Sequence, residues 1–145
     1  MVTFQMTHIY HEDGNLFEVF DKTSGQRTCY LWSYKHQYPT MQIDGIYAEQ
    51  LLNAIGSNVI MSLAINEMPT LNDLLSLKNQ ISNKLPYAHI SVYTYKPLMG
   101  ISTITTDAGL TTYYEYDDFG RLKLIYQIKN KQREVINAFD YNFKL

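Results

Sequence analysis

TTYYEYDDFGRLKL, running from Thr111 to Leu124, alternates, turns and alternates again. Thr112, Tyr114 and Tyr116 share one parity before the turn, and Leu122 and Leu124 share one after it, as expected of two strands whose side chains point to opposite faces in succession. Between them Asp117-Asp118-Phe119-Gly120 supplies turn chemistry. An Asp carboxylate accepts from nearby backbone amides, and Gly adopts positive φ without a Cβ clash. The stretch therefore predicts a tyrosine-rich β-hairpin. The spacing recurs at the other end of the chain in Tyr10-His11-Glu12-Asp13-Gly14-Asn15-Leu16, so the hairpin is expected to be a repeated device.

Working outward, the pattern of the whole chain is strand-rich with a helical interruption. Phe4 to Tyr10 and Leu16 to Phe20 form a first hairpin, and Thr28 to Tyr34 continues it with Tyr30, Trp32 and Tyr34 on one face. His36 to Pro39 breaks the run, and Thr40 to Ile43 is a short fourth strand. After Asp44-Gly45 the period changes: a helix is expected over Ile46 to Ile55, capped by Asp44 and ended by Gly56. Val59 to Ile65 is apolar and leans to helix. Thr70 with Asp73 resembles a capping box, and Leu71, Leu74, Leu75, Lys78, Ile81 and Leu85 make a helical stripe that Pro86 must end. From His89 onward five strands are expected: Ile90 to Tyr95, Ile101 to Thr106, Thr111 to Asp117, Leu122 to Ile128 and Arg133 to Phe143. The reading is an α+β single domain of residues 1–145, with N-terminal hairpins over 1–44, a helical insertion over 45–86 and a β-meander over 87–145. Its antiparallel hairpin sheet is expected to pack against about two central helices.

Composition bounds the function classes. With 46% hydrophobic and 18% charged residues the 145-residue chain has the makings of a folded core. A net charge of −2 provides no field to recruit nucleic acid. Arg121, Lys123, Lys129, Lys131 and Arg133 form a basic run around Tyr126, read as the solvated face of a strand pair, since exposed Lys discourages edge pairing. Cys29 has no partner for an intramolecular disulfide and is expected to be a buried small side chain. Met1-Val2-Thr3-Phe4-Gln5 has no basic region followed by a long apolar run, so no signal peptide is expected, and no stretch reaches the ~20 apolar residues of a membrane helix.

The repeat carries a resemblance. Tyr116-Asp117-Asp118-Phe119-Gly120-Arg121-Leu122, preceded by Gly109 and Thr111 to Tyr114, resembles the YD repeat of RHS-type proteins. Residues 85–143 are similar to the C-terminal region of large Bacteroidetes YD-repeat proteins, and Tyr30 to Tyr34 with Gln37-Tyr38-Pro39 resembles the segment before it. Tyr95 to Gly100 is a looser copy, with its Gly one position late, and Tyr34 begins a fourth without Gly. The resemblance implies a cell-surface or secreted protein whose hairpins form a strip. It assigns Tyr116, Asp117, Gly120, Arg121 and Leu122 to the repeat turn. Two departures from the resemblance are expected: no effector domain after the repeats, and four units too few to enclose a shell.

Catalytic groups do not assemble in the sequence, and no enzyme, cofactor or metal is expected. His8 and His11 flank a turn at a spacing that sends them to opposite faces, and Asp117 and Asp118 diverge as neighbours in a turn. Hydrolysis through His36 and Asp118 has no local motif behind it. The aromatic set Tyr30, Trp32, Tyr34, Tyr113 and Tyr114 is the candidate ligand or partner face, with two readings open: rings that stack on a glycan, or rings that form the face toward the helices. The expected activity is that of a non-enzymatic scaffold or adhesion module, the terminal piece of a surface YD-repeat protein. It would pair strands with the rest of its parent polypeptide or with another copy, without nucleic acid or membrane insertion; a carbohydrate-binding module is the alternative.

Overall fold

The computed structural model describes residues 6–141, which form nine strands and three helices. They fall into two compact units, 1–92 and 93–145, the division lying inside a strand and beyond the composition change near residue 87. Residues 1–5 and 142–145, including Phe4 and Phe143 of the expected first and last strands, lie outside the described residues.

In the first unit β1 (Met6–Tyr10), β2 (Leu16–Asp21), β3 (Gln26–Ser33), β4 (Tyr38–Asp44) and the start of β5 (His89–Lys96) pair antiparallel in chain order. Short turns force the order from β1 to β4, because a strand re-entering after a few residues can only lie beside its predecessor; β5 returns beside β4 after the helices. Between β4 and β5 come α1 (Ala48–Ile55), α2 (Ser57–Ile65) and α3 (Leu71–Lys84). One apolar cluster joins Leu31, Met41, Ile43, Ile90 and Val92 to Leu51, Leu74 and Ile81. Cys29 is fully buried among them, and burial, with Glu18 adding to it, pushes its thiol up to about 12, so it behaves as a small apolar group.

The helix ends follow capping chemistry, in one case across long range. Thr70 Oγ1 accepts from the Asp73 amide at 3.1 Å, as the sequence spacing predicts. Asp44, by contrast, does not cap α1: it lies in β4 and accepts from Thr28 Oγ1 at 2.8 Å. The first amide of α1, that of Ala48, donates instead to the buried Glu18 carboxylate of β2 at 2.8 Å. Its charge is answered by the helix N-terminus and by Arg27, whose Nη1 lies 3.5 Å from Glu18 and whose guanidinium stacks over Phe20 and Tyr47 at 3.8 and 3.6 Å. At the other end of α1, Lys84 Nζ donates to the Ala54 carbonyl at 2.6 Å.

The second unit holds the end of β5, then β6 (Gly100–Thr105), β7 (Thr111–Tyr116), β8 (Leu122–Lys129) and β9 (Gln132–Ala138), again antiparallel in order. Its buried groups are mostly threonines: Thr94 and Thr103 hydroxyls bond to each other, and Thr105 bonds to Thr111 at 2.7 Å. Tyr126 is its one buried large hydrophobic side chain among the described residues.

Three turns close identically. His11, Thr106 and Asp117 each donate a backbone N–H to the carbonyl four residues on, at 2.7, 3.0 and 2.8 Å, and each accepts from the Gly three residues on, at 2.9, 2.9 and 3.0 Å. Gly14, Gly109 and Gly120 stand at φ 91°, 91° and 77°, a region that a Cβ disfavours. In the first and last of these hairpins the pairing slips one residue at the same place, Tyr10 opposite Leu16 and Tyr116 opposite Leu122. This bulge breaks the expected common face of Leu122 and Leu124: Leu122 pairs with Tyr116 and Leu124 with Glu115. The two looser copies turn differently. Leu98 takes φ 67° ahead of Gly100, while Tyr34, Lys35 and His36 form a left-handed run at φ 57°, 54° and 66°.

Candidate functional site

The left-handed run brings His36 to the rim of a cleft in the first unit. Left-handed backbone costs roughly 1 kcal/mol or more per non-glycine residue, so three in succession require compensation. It comes from the C-terminal end of α2, whose carbonyls lack intrahelical partners and which has no basic residue in its last turn. His36 N–H donates to Ala64 O at 2.8 Å, Lys35 N–H to Asn66 O at 3.1 Å, and Ser33 Oγ to Leu63 O at 2.7 Å. With its backbone held on α2, His36 meets the β1–β2 turn: Nδ1 lies 2.5 Å from Asp13 Oδ2, and its carbonyl accepts from Asn15 Nδ2 at 2.8 Å. Burial would raise the Asp13 carboxyl, but the Asn15 amide and His36 outweigh it and hold it below its usual value.

A cleft of about 740 Å³ opens beside this pair. Its walls are apolar, with Leu52, Ile60, Met61 and Ile65 from α1 and α2 and with Ile9, Phe17 and Trp32 from the strands. Tyr10 and His11 continue the aromatic wall. The His11 ring stacks on Phe17 with centroids 3.9 Å apart, and its Nε2 donates to Tyr30 O at 2.9 Å, because a carbonyl can only accept. Trp32 is fixed by its indole N–H, which donates to Leu16 O at 2.8 Å. Glu12, Asp13 and Glu49 supply the polar lining together with His36 and Ser57. No sequence motif announces this cleft. Its residues come from three strands, a turn, a left-handed loop and two helices, and the nearest sequence signal is the apolar run Val59 to Ile65, of which Val59, Met61 and Ile65 stay exposed.

Within the first unit, Tyr34 does not share an outward face with Tyr30 and Trp32 as the alternation predicts. Tyr34 leaves the alternation at the end of β3 and is buried, with its ring edge-on to Tyr38 at 5.6 Å. The positive φ of Tyr34 is the reason: once the backbone turns left-handed, strand parity no longer sets side-chain direction. Tyr30 and Trp32 remain half-buried in β3.

In the second unit Tyr113 stacks on Tyr126 at 5.0 Å with rings 8° apart, and Arg133 lies over Tyr126 at 4.1 Å while bonding Glu115 at 3.0 Å. Tyr114 pairs with Ile125 on the opposite parity. Tyr116 packs its phenol against Gly100 and donates to Ile101 O at 2.7 Å; burial, and then Tyr114, raise this phenol above its ordinary value. Asp117 is occupied by the turn, accepting from Phe119 N at 2.9 Å, Arg121 N at 2.9 Å and Arg121 Nε at 2.8 Å. Of the basic run, Arg121, Lys129 and Arg133 are matched by Asp117, Glu134 and Glu115. Among the described residues no group of three His, Cys, Asp or Glu side chains is placed to hold a metal ion, and no helix is long and apolar enough to cross a membrane. Comparison with protein-family models, with curated proteins and with solved structures finds no match for this chain.

Proposed function

We propose that the chain is a non-enzymatic interaction module of the YD-repeat type, in which a hairpin sheet packed on helices extends by strand pairing. The partner is the rest of a parent polypeptide or a second copy, at a cell surface or in a secreted assembly. The observation that carries this reading is β9. All seven of its residues are exposed although it includes Val135 and Ile136, 53% and 55% exposed. An uncovered strand with apolar side chains offers both backbone groups and surface to an incoming strand. The three identical Gly turns support the same reading, since a repeated turn at hairpin spacing is how a strip of hairpins is built.

Sedimentation velocity on the 145-residue chain tests it. Association that grows with concentration and is abolished by Ile136→Lys, with circular dichroism unchanged, is the expected result. A strictly monomeric chain at millimolar concentration that also ignores an added upstream segment overturns it. Glycan binding is the alternative, through Tyr113 stacked on Tyr126 in the second unit or through Trp32 in the cleft of the first. A glycan array on which wild type and Trp32→Ala are equally blank removes that reading.

A further inference from the structure

We propose that the cleft of the first unit binds an amphipathic organic cation, an alkyl or aryl ammonium whose apolar body lies along α2 and whose charged head sits at the carboxylate rim. The volume, about 740 Å³, falls in the range that encloses most of a small molecule, and α2 contributes Ile60, Met61, Ala64 and Ile65 to an aliphatic stretch of its lining. The opposite wall carries Tyr10 and Trp32, rings whose faces attract an ammonium group by their quadrupoles.

The sign of the head group follows from charge. The lining contains Glu12, Asp13 and Glu49 and neither Lys nor Arg. His36 is committed to Asp13 at 2.5 Å and His11 Nε2 to the Tyr30 carbonyl at 2.9 Å. Among the described residues no ion pair answers Glu12 or Glu49. A carboxylate or phosphate head would therefore meet like charge with no compensating cation. An ammonium would meet two carboxylates and aromatic faces. The binding surface is also prearranged, since Trp32 and His11 are each tied by a hydrogen bond to backbone carbonyl and α2 is anchored through Ser33, Lys35 and His36.

The chain carries a single tryptophan, Trp32, and it lies in the cleft wall, so its fluorescence reports occupancy directly. Titration of the full chain with octyltrimethylammonium, below its micelle concentration, is expected to give a saturable change with Kd on the order of 100 µM. Octanoate and octanol, of equal chain length, are expected to bind about tenfold more weakly or worse. Glu12→Lys with Glu49→Lys, both at exposed positions, should reverse the preference toward octanoate; Glu12→Gln with Glu49→Gln, which disturbs the surface less, should erase it. Circular dichroism confirms that each variant is folded. No saturable response to the ammonium, equal or tighter binding of octanoate to wild type, or a preference untouched by both double substitutions overturns the proposal.

Discussion

The two units are built with the same hairpin grammar and held together by different physics. In the first, Leu31, Met41, Ile43, Ile90, Leu51, Leu74 and Ile81 meet in a core from which water is excluded, and even the carboxylate of Glu18 is drawn inside and answered by Arg27 and by the start of α1. In the second, the strands present threonine pairs, a tyrosine stack and surface ion pairs, and β9 is exposed along its whole length. Apolar burial is the largest stabilising contribution per side chain, whereas exposed ion pairs contribute about 0–1 kcal/mol each. The first unit should therefore carry most of the stability of the chain. The second should depend on turns and cross-strand pairs.

Truncation sharpens this contrast most. Leu31→Ala, at a position with no solvent exposure, is expected to cost about 2–5 kcal/mol in urea unfolding, while Ile136→Ser on β9 should change stability by about 0.5 kcal/mol or less. Similar losses at both sites would mean that the second unit has a core of its own.

A smaller effect is expected at Gly100, where an added Cβ would stand 2.6 Å from Tyr116 Oη. Gly100→Ala should displace the phenol from the Ile101 carbonyl and lower stability by about 1–2 kcal/mol. Because Tyr116→Phe removes that oxygen, the double variant should cost less than the sum of the two singles. Simple additivity would separate the glycine from the tyrosine.

The smallest effect is acid loosening of two turns, one in each unit. Burial acts to raise both Asp13 and Asp117, but hydrogen bonds from Asn15 and His36 in one turn, and from Arg121 and Phe119 in the other, hold both below the ordinary value of 3.8. A depressed carboxyl stabilises fully above its unfolded pKa and loses that contribution as pH falls through the folded value. The protection factors of the Asn15, Phe119 and Arg121 amides, measured against intrinsic exchange, should therefore fall below about pH 4 and stay flat from pH 5 to 7. Asp117→Asn should remove the acid response in the second unit only.

Much of the local structure was legible because its causes are local. The Tyr-x-x-x-Gly-x-Leu spacing marked the turns at Gly14 and Gly120 because only a residue without Cβ takes φ near 90° freely, and Thr70 marked the start of α3 through a hydroxyl three residues from the amide it accepts. The five strands from His89 onward followed from alternation and short turns. Where pairing slips at Tyr116 and Leu122, alternation fails, since a bulge is a property of two strands together and leaves no mark on one.

The candidate site was hardly legible at all. The sequence by itself determined where strands turn, where α3 begins and which stretches are apolar enough to be covered. Tertiary structure alone decided that Glu18 rather than Asp44 meets the first amide of α1, that Tyr34 goes inside, that His36 reaches Asp13, and that α2 faces Trp32 across a cleft rimmed by carboxylates. The physical reason is range: turns and caps are closed by hydrogen bonds within a few residues. A cleft exists only when segments far apart in the chain are brought together by the burial of a common core.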